Sequence, residues 1–132
     1  MVEIKLKKGK EKAVLQRHPW VFSGAVDKIK GKAENGDVVR LTDASGDFLA
    51  YGYFNDQSRV AVRLIEWNED KQIDELWYEE KINQAVAARA ELLKAEGTNT
   101  VRLIFSEADF LPGLIVDKYA DFLSVQILST GI

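Results

Sequence analysis

The chain has 132 residues, 46% of them hydrophobic and 30% charged, which is typical of a soluble globular protein with one ordinary domain or two small ones. Because it contains no cysteine, disulfides, zinc–cysteine sites and thiol catalysis are excluded, and a reducing, cytoplasmic compartment is expected. No apolar run approaches the roughly 20 residues of a membrane helix, and the charged first 12 residues lack the apolar core of a signal peptide. We therefore expect no membrane association.

The net charge of −3 hides an uneven distribution of ionised side chains. Residues 1–32 carry nine Lys and Arg against three acids, and residues 33–132 carry nine against 18. The N-terminal segment is therefore net +6 and the remainder net −9. A basic end on an acidic body predicts a surface that faces a polyanion. The alternative is that these lysines only keep strand edges and short helices soluble.

The first half of the chain has the pattern of short strands. Residues 2–7 alternate apolar and charged side chains, as in a half-buried strand, and residues 11–17 predict a short helix. This helix should stop at about His18, because Pro19 lacks a backbone N–H, and Trp20 is then expected in the core. Further strands are predicted over residues 20–26, 37–42, 48–54 and 59–67, with a loop or hairpin over 28–36. Five strands and one short helix within about 70 residues predict a small, strongly curved β-barrel.

A polar stretch at residues 68–72 marks the expected domain boundary. Asp74 is the expected N-cap of a helix over residues 74–96 that ends at Gly97. The remaining predicted elements are strands over 101–105, 114–116 and 122–128, a loop over 106–113 and a hairpin turn over 117–121. Such a sheet on one helix leaves an edge strand unpaired, so we expect a cut within a larger architecture, with a complete small protein as the alternative.

No catalytic constellation can be assembled from these residues. His18 is the only histidine, so no histidine metal pair exists, and the chain has neither a glycine-rich dinucleotide loop nor a Walker loop. Glu107 and Asp109 form a candidate acid pair, but acids on a polar loop are usually solvated. Trp67 and Trp77 are expected to pack between domains. We predict no catalytic, cofactor-binding or metal-binding residue in this chain.

The chain resembles a family of known enzymes. Residues 8–26 (KGKEKAVLQRHPWVFSGAV) and 36–55 (GDVVRLTDASGDFLAYGYFN) resemble the N-terminal PUA domain of bacterial S-adenosylmethionine (SAM)-dependent methyltransferases that form 5-methylcytosine in 23S ribosomal RNA. Residues 102–131 (RLIFSEADFLPGLIVDKYADFLSVQILSTG) resemble the next module of these enzymes, a small α/β domain. This chain departs from the resemblance at Ser106 and Phe110, where family members usually carry glycine. If contact with the catalytic domain or RNA requires glycine backbone angles in that loop, the loop would not serve that contact here.

The resemblance implies an α+β fold. A small PUA-like β-barrel with a short helix would span residues 1–68, and a partial α/β linking domain of one helix and antiparallel strands would span 69–132. The resemblance also implies that methyl transfer belongs to a C-terminal Rossmann-like domain, with the SAM site and catalytic cysteines, that this chain lacks. The chain alone would then be no enzyme and would bind no cofactor. Its implied partners are ribosomal RNA and that C-terminal methyltransferase domain, with a homodimer as a further candidate.

The expected RNA contacts lie at the basic end of the chain. Its cations would contact phosphates, which gives salt dependence but little sequence information, and the histidine at the helix–strand junction would reach the RNA. The predicted RNA-binding residues are Lys5, Lys7, Lys8, Lys10, Lys12, Arg17 and His18. Recognition of the shape of an RNA helix is favoured over base reading, because double-stranded RNA offers few readable base edges.

Two other functions compete with RNA binding. In the first, the two predicted domains act mainly as a scaffold that positions a catalytic domain or a dimer partner. In the second, the chain is a free-standing enzyme, which is the hypothesis that the residues support least. A basic groove around residues 5–17 would favour RNA binding. An apolar exposed face on residues 122–128 would favour the scaffold.

Overall fold

A computed structural model of the chain describes residues 1–94 and 99–132. The described residues form two compact units, Met1–Lys71 together with Gly131, and Gln72–Thr130 together with Ile132. The predicted α+β fold class is confirmed: the first unit has a six-stranded sheet and one short α-helix, and the second has helices and a three-stranded antiparallel sheet. None of the helices in these two ranges combines the length and the apolar composition that crossing a membrane requires.

The first unit is built from short elements. Its strands are β1 (Glu3–Leu6), β2 (Trp20–Phe22), β3 (Val26–Lys30), β4 (Val38–Thr42), β5 (Phe48–Phe54) and β6 (Val60–Glu66), with helix α1 (Glu11–Leu15) after β1 and a 3-10 turn (Ser23–Ala25) after β2. The sheet order is β2-β6-β5-β4-β1-β3, in which β1 runs parallel to β4 and the other neighbours are antiparallel. Register shifts interrupt four of these pairs, and such bulges raise the local twist, which curves the sheet.

One face of this sheet forms the core of the first unit. Ile4 and Leu6 of β1 and Val39 and Leu41 of β4 are fully buried, and Val14 joins the same cluster from α1. Successive side chains of a strand point to opposite faces, so β1 sends every second residue into this core. The alternation predicted for residues 2–7 is therefore confirmed by the burial of Ile4 and Leu6.

The sequence pattern predicts five strands in this unit, whereas the structure has six. Residues 20–26 are not one strand: β2 ends at Phe22, and β3 begins at Val26 and extends into the segment predicted as a loop or hairpin. The hydrophobic pattern does not predict β3, because this is an edge strand that pairs only with β1 and its residues after Val26 are all exposed. An edge strand that buries so little surface carries no clear hydrophobic alternation.

The second unit contains helices α2 (Glu75–Ala88) and α3 (Ala90–Lys94), strands β7 (Thr100–Phe105), β8 (Leu114–Tyr119) and β9 (Phe122–Ile127), and a 3-10 turn (Ser106–Asp109) after β7. The strands are antiparallel in the order β7-β8-β9. The predicted N-cap is confirmed, because Asp74 Oδ1 accepts a hydrogen bond from the Trp77 backbone N–H at 3.0 Å. The predicted helix end at Gly97 lies outside the described residues.

The prediction of one helix over residues 74–96 is wrong at Arg89, where α2 ends and α3 begins. The Arg89 guanidinium donates to both carboxylate oxygens of Asp109, at 3.1 and 2.8 Å, and to the backbone oxygen of Ala85 at 2.9 Å. Asp109 also accepts from the Phe105 N–H at 2.7 Å. The expectation of a solvated acid is therefore wrong for Asp109, whose side chain is 13% exposed and joins the end of α2 to the end of β7.

The hairpin between β8 and β9 is tighter than predicted. A turn is expected over residues 117–121, but β8 continues to Tyr119, which pairs with Phe122. Asp117 lies within the strand opposite Arg102 of β7, and the Arg102 guanidinium binds its carboxylate with Nε–Oδ1 2.8 Å and Nη2–Oδ2 3.2 Å. This cross-strand ion pair explains how a buried acid is accommodated where the sequence suggests a turn.

The loop after β7 holds two non-glycine residues in the left-handed backbone conformation. Ser106 has φ 47° and Phe110 has φ 57°, and these are the two positions at which the resemblance leads to an expectation of glycine. Ser106 Oγ accepts from the Gly113 N–H at 2.8 Å and donates to the Glu107 carboxylate. Phe110 is 43% exposed. A Cβ in this conformation costs roughly 1–2 kcal/mol, so the loop is strained at both positions.

We expect Phe110→Gly to unfold at a higher denaturant concentration than Phe110→Ala. Both variants remove the ring and its contact with the Lys81 ammonium, which lies 5.5 Å from the ring centroid, but only glycine relieves the left-handed strain. The difference in the free energy of unfolding should be about 1 kcal/mol in favour of glycine. Urea titration followed by circular dichroism measures it, and equal stabilities of the two variants would contradict the expectation.

The Arg102–Asp117 pair should make stability depend on pH. The hydrogen bond from Arg102 is the main cause that holds the pKa of Asp117 below its ordinary value of 3.8. A carboxylate of this kind stabilises the fold above its ordinary pKa, and the contribution is lost as the pH falls through the lowered value. The stability gap between the wild type and Asp117→Asn should therefore shrink below pH 3.8. Urea titrations at several pH values test this, and a gap independent of pH is the contrary result.

Candidate nucleic-acid interface

The segment from β1 into α1 presents a group of exposed cations. The exposed lysines are Lys7, Lys8, Lys10 and Lys12, and they follow Lys5, which is half-buried on β1. Lys10 N–H donates to Lys7 O at 3.1 Å to close the turn, and Gly9 takes φ 86°, a conformation that glycine adopts at low cost. Within the two described ranges, none of these five ammonium groups makes an ion pair. Their positive charge is therefore not neutralised locally.

Helix α1 ends earlier than predicted, and Arg17 lies at that end. α1 stops at Leu15, after which Arg17 N–H donates to Val14 O and His18 N–H donates to Ala13 O, both at 3.0 Å. This is a Schellman arrangement, and Arg17 occupies its left-handed position with φ 65°. The backbone hydrogen bonds therefore end the helix before the following proline does.

The side chain of Arg17 is held over Trp67. Arg17 Cζ lies 4.9 Å from the centroid of the indole ring, and Trp67 Nε1 donates to Val14 O of α1 at 2.9 Å. Trp67 also packs against the core of the first unit. The guanidinium is thus positioned at the end of α1 by a fixed aromatic ring, while the residue as a whole stays exposed.

The expectation that Trp20 is a core residue is wrong, and Phe22 is exposed as well. Trp20 is 40% exposed and Phe22 is 50% exposed, whereas Val21 between them is buried. β2 is a three-residue edge strand, so its alternate side chains point away from the core. Together with Lys10 and Gly24, the two aromatic residues line a groove of about 320 Å³ between α1 and β2. The sequence signal, an apolar run after a proline, does not distinguish this edge from a buried strand.

His18 lies exposed beside the groove. Its Nδ1 accepts a hydrogen bond from the Trp20 N–H at 3.2 Å, and its ring meets the Trp20 indole edge-on, with 6.4 Å between the centroids. Lys10, at the N-cap of α1, lines the groove, whereas Arg17 and His18 follow the other end of the helix. Across the described ranges, no group of three or more His, Asp or Glu side chains is arranged to hold a metal ion.

Residues 4–67 match the family model described as a PUA-like domain. This match covers most of the first unit, which we therefore call the PUA-like domain. The match runs from β1 through β6 and therefore includes all seven residues predicted to bind RNA. The groove between α1 and β2 also lies within it.

The chain is similar to curated proteins that are about three times longer. It is 42% identical over 130 residues to ribosomal RNA large subunit methyltransferase I of Aliivibrio fischeri (strain MJ11), and 40% identical over 130 residues to the protein of the same name from Enterobacter sp. (strain 638). Each match covers 98% of this chain and 33% of the relative. The chain therefore spans about a third of the length of these relatives.

Two solved structures share the fold. A Streptococcus mutans protein proposed to be a SAM-dependent methyltransferase superposes with a TM-score of 0.83, over 99% of this chain and 34% of that chain. A second structure, of a proposed methyltransferase complexed with SAH, superposes with a TM-score of 0.84 over 99% of this chain and 33% of that chain. Both are 17% identical in sequence, so the likeness shows the fold alone.

We expect Trp67→Phe to destabilise the PUA-like domain and Trp20→Phe to leave its stability nearly unchanged. The first change removes the indole donor of the bond to Val14 O and part of the surface under Arg17, which should cost about 1 kcal/mol. The second change acts on an exposed ring, and most such substitutions stay within about 0.5 kcal/mol. Urea titration of both variants measures the difference, and the reverse order would contradict these positions.

Proposed function

We propose that the PUA-like domain binds structured ribosomal RNA and is the RNA-recognition part of a SAM-dependent methyltransferase that forms 5-methylcytosine in 23S ribosomal RNA. The supporting observation is the group of cations without ion-pair partners around α1, in a domain whose relatives are named ribosomal RNA large subunit methyltransferase I. Methyl transfer and SAM binding would belong to the two thirds of the relatives that this chain does not match. Residues 1–68 would then form the RNA-binding barrel of a cytoplasmic enzyme, and residues 69–132 the link to its catalytic domain.

Phosphate contacts would supply most of the affinity. The proposed contact residues are Lys5, Lys7, Lys8, Lys10, Lys12, Arg17 and His18. The lysines make no ion pair within the described parts of the chain, so RNA would not have to displace a carboxylate from them. Arg17 is already held over Trp67, which reduces the entropy lost when its guanidinium binds a phosphate. Such contacts set the position of the RNA and make binding depend on salt.

The aromatic groove extends the proposal to an unpaired base. Trp20 and Phe22 present ring surface next to Lys10, and bases that leave an RNA helix stack on exposed aromatic side chains. The expected RNA is therefore a helix with a neighbouring unpaired nucleotide. This adds base stacking to the expected recognition of helix shape, and it depends on the exposure of Trp20, which the sequence analysis assigns to the core.

We expect the 132-residue chain to bind hairpins of 23S ribosomal RNA with an affinity that falls steeply with salt. In Lys8→Glu/Lys10→Glu/Arg17→Glu, the slope of log K against log salt should decrease in magnitude by about 0.9 for each phosphate that the variant no longer neutralises. Fluorescence anisotropy between about 50 and 200 mM salt measures the slope. Trp20→Ala should weaken binding to a hairpin with an unpaired base more than binding to a fully paired hairpin, by roughly 1–3 kcal/mol.

The matched control reverses three charges away from the α1 segment. In Lys81→Glu/Lys94→Glu/Lys118→Glu the net charge changes equally, but all three residues belong to the second unit and none of them lines the groove. This control should bind RNA much more tightly than the first triple variant. Absence of RNA binding by the wild type at any salt concentration, or equal binding by both triple variants, would overturn the proposed function.

A scaffold function is the second candidate, because β9 exposes a large apolar surface. Phe122 is 77% exposed, Leu123 62%, Val125 56% and Ile127 61%, so both faces of this edge strand are open in the second unit. Exposed apolar surface of this extent is typical of interaction sites. In this alternative the second unit docks a catalytic domain or a second copy of the chain, and RNA affinity is weak. A salt series without RNA binding would favour it.

A further inference from the structure

The outward face of β3, β1 and β4 carries a row of charged side chains that neutralise one another. Glu3 lies opposite Lys30 on β3 and opposite Arg40 on β4. Lys30 Nζ lies 3.0 Å from Glu3 Oε1, and Arg40 Nε lies 4.0 Å from Glu3 Oε2. The carboxylate thus sits between two cations, and the hydrogen bond from Lys30 is the main cause that lowers the pKa of Glu3.

The next row on the same face, two residues further along β1, has no acid. Lys5 lies opposite Lys28 on β3 and opposite Thr42 on β4. Neither ammonium makes an ion pair with any residue in the two described ranges. Directly opposite residues of antiparallel strands have their Cβ atoms roughly 4.5–5.5 Å apart, and like charges in that position repel. The register therefore places two lysines without ion-pair partners opposite each other, and we expect their repulsion to disfavour the free protein.

We propose that Lys5 and Lys28 together bind one phosphodiester of the RNA backbone. This inference rests on the proposed function and extends its surface from α1 across β1 to the edge strand β3. A phosphate between the Lys5 and Lys28 ammonium groups would neutralise them in the way that the Glu3 carboxylate, in the neighbouring row, lies between Lys30 and Arg40. Lys28 lies in the segment that the sequence pattern predicts as a loop or hairpin, and only the strand register places it beside Lys5.

The position of the pair favours an RNA phosphate over a free one. β1 runs directly from Lys5 into Lys7 and Lys8, and Lys7 N–H donates to Ala25 O at 2.9 Å, just before β3 begins. The lysine pair is therefore continuous with the cations of the β1–α1 segment. One RNA strand has regularly spaced phosphates, so it can contact the lysine pair and the cations of the β1–α1 segment at the same time. An isolated phosphate ion cannot reach both.

The test compares Lys28→Gln with Lys32→Gln, a variant with the same loss of charge at an exposed lysine just beyond β3. Lys28→Gln should decrease the magnitude of the slope of log K against log salt by about 0.9 in the RNA titration, and Lys32→Gln should change it much less. The urea midpoint of Lys28→Gln should equal or exceed that of the wild type, because the repulsion with Lys5 is gone. Lys30→Gln should lower the midpoint, because Glu3 loses its partner.

Three results would overturn the lysine-pair site while the proposed function stands. One is equal salt slopes for Lys28→Gln and Lys32→Gln with salt-dependent RNA binding by the wild type. Another is a lower urea midpoint for Lys28→Gln, which would show that the pair stabilises the free protein. The third is stabilisation of the wild type, but not of Lys28→Gln, by inorganic phosphate at matched ionic strength with unchanged RNA binding, which would assign the pair to a free anion. If the wild type binds no RNA, the proposed function fails and this inference fails with it.

Discussion

The register of β1 connects the core of the PUA-like domain to its charged surface. β1 pairs with β3 on one side and with β4 on the other. Its alternation buries Ile4 and Leu6 and turns Glu3 and Lys5 outward. A slip of one residue would turn the lysine into the core and the isoleucine into solvent, and burial of an unpaired ammonium is strongly unfavourable. The same pairing that forms the core therefore sets where the cations of this strand lie, and it aligns them with those of β3.

Backbone strain marks the ends of several elements. Arg17, Ser106, Phe110 and Ala120 all take positive φ, where glycine would be less costly. At Arg17 the conformation is imposed by the hydrogen bonds that end α1 and by the indole ring of Trp67. Glycine would suit that backbone better but would carry no guanidinium. An arginine in this strained position is consistent with the proposed phosphate contact, because strained backbone residues are common at functional sites.

The two units present surfaces of different chemistry. The basic surface of the first unit would attract a polyanion through long-range forces that salt screens, whereas the apolar strand β9 of the second unit would bind a partner by excluding water. RNA binding and the docking of a protein partner would therefore depend on different surfaces of the chain. Salt dependence separates them, because added salt weakens the first kind of contact and not the second.

The sequence by itself determined the features that depend on neighbours along the chain. The alternation in β1, the N-cap at Asp74, the bounds of β5 and the group of lysines before α1 are all local patterns, set by strand periodicity, hydrogen bonding within one turn and charge count. Only the tertiary structure decided which residues meet across the chain. It exposed Trp20, paired Arg89 with Asp109 and placed Lys28 opposite Lys5, because edge position, ion pairing and strand register depend on segments far apart in sequence.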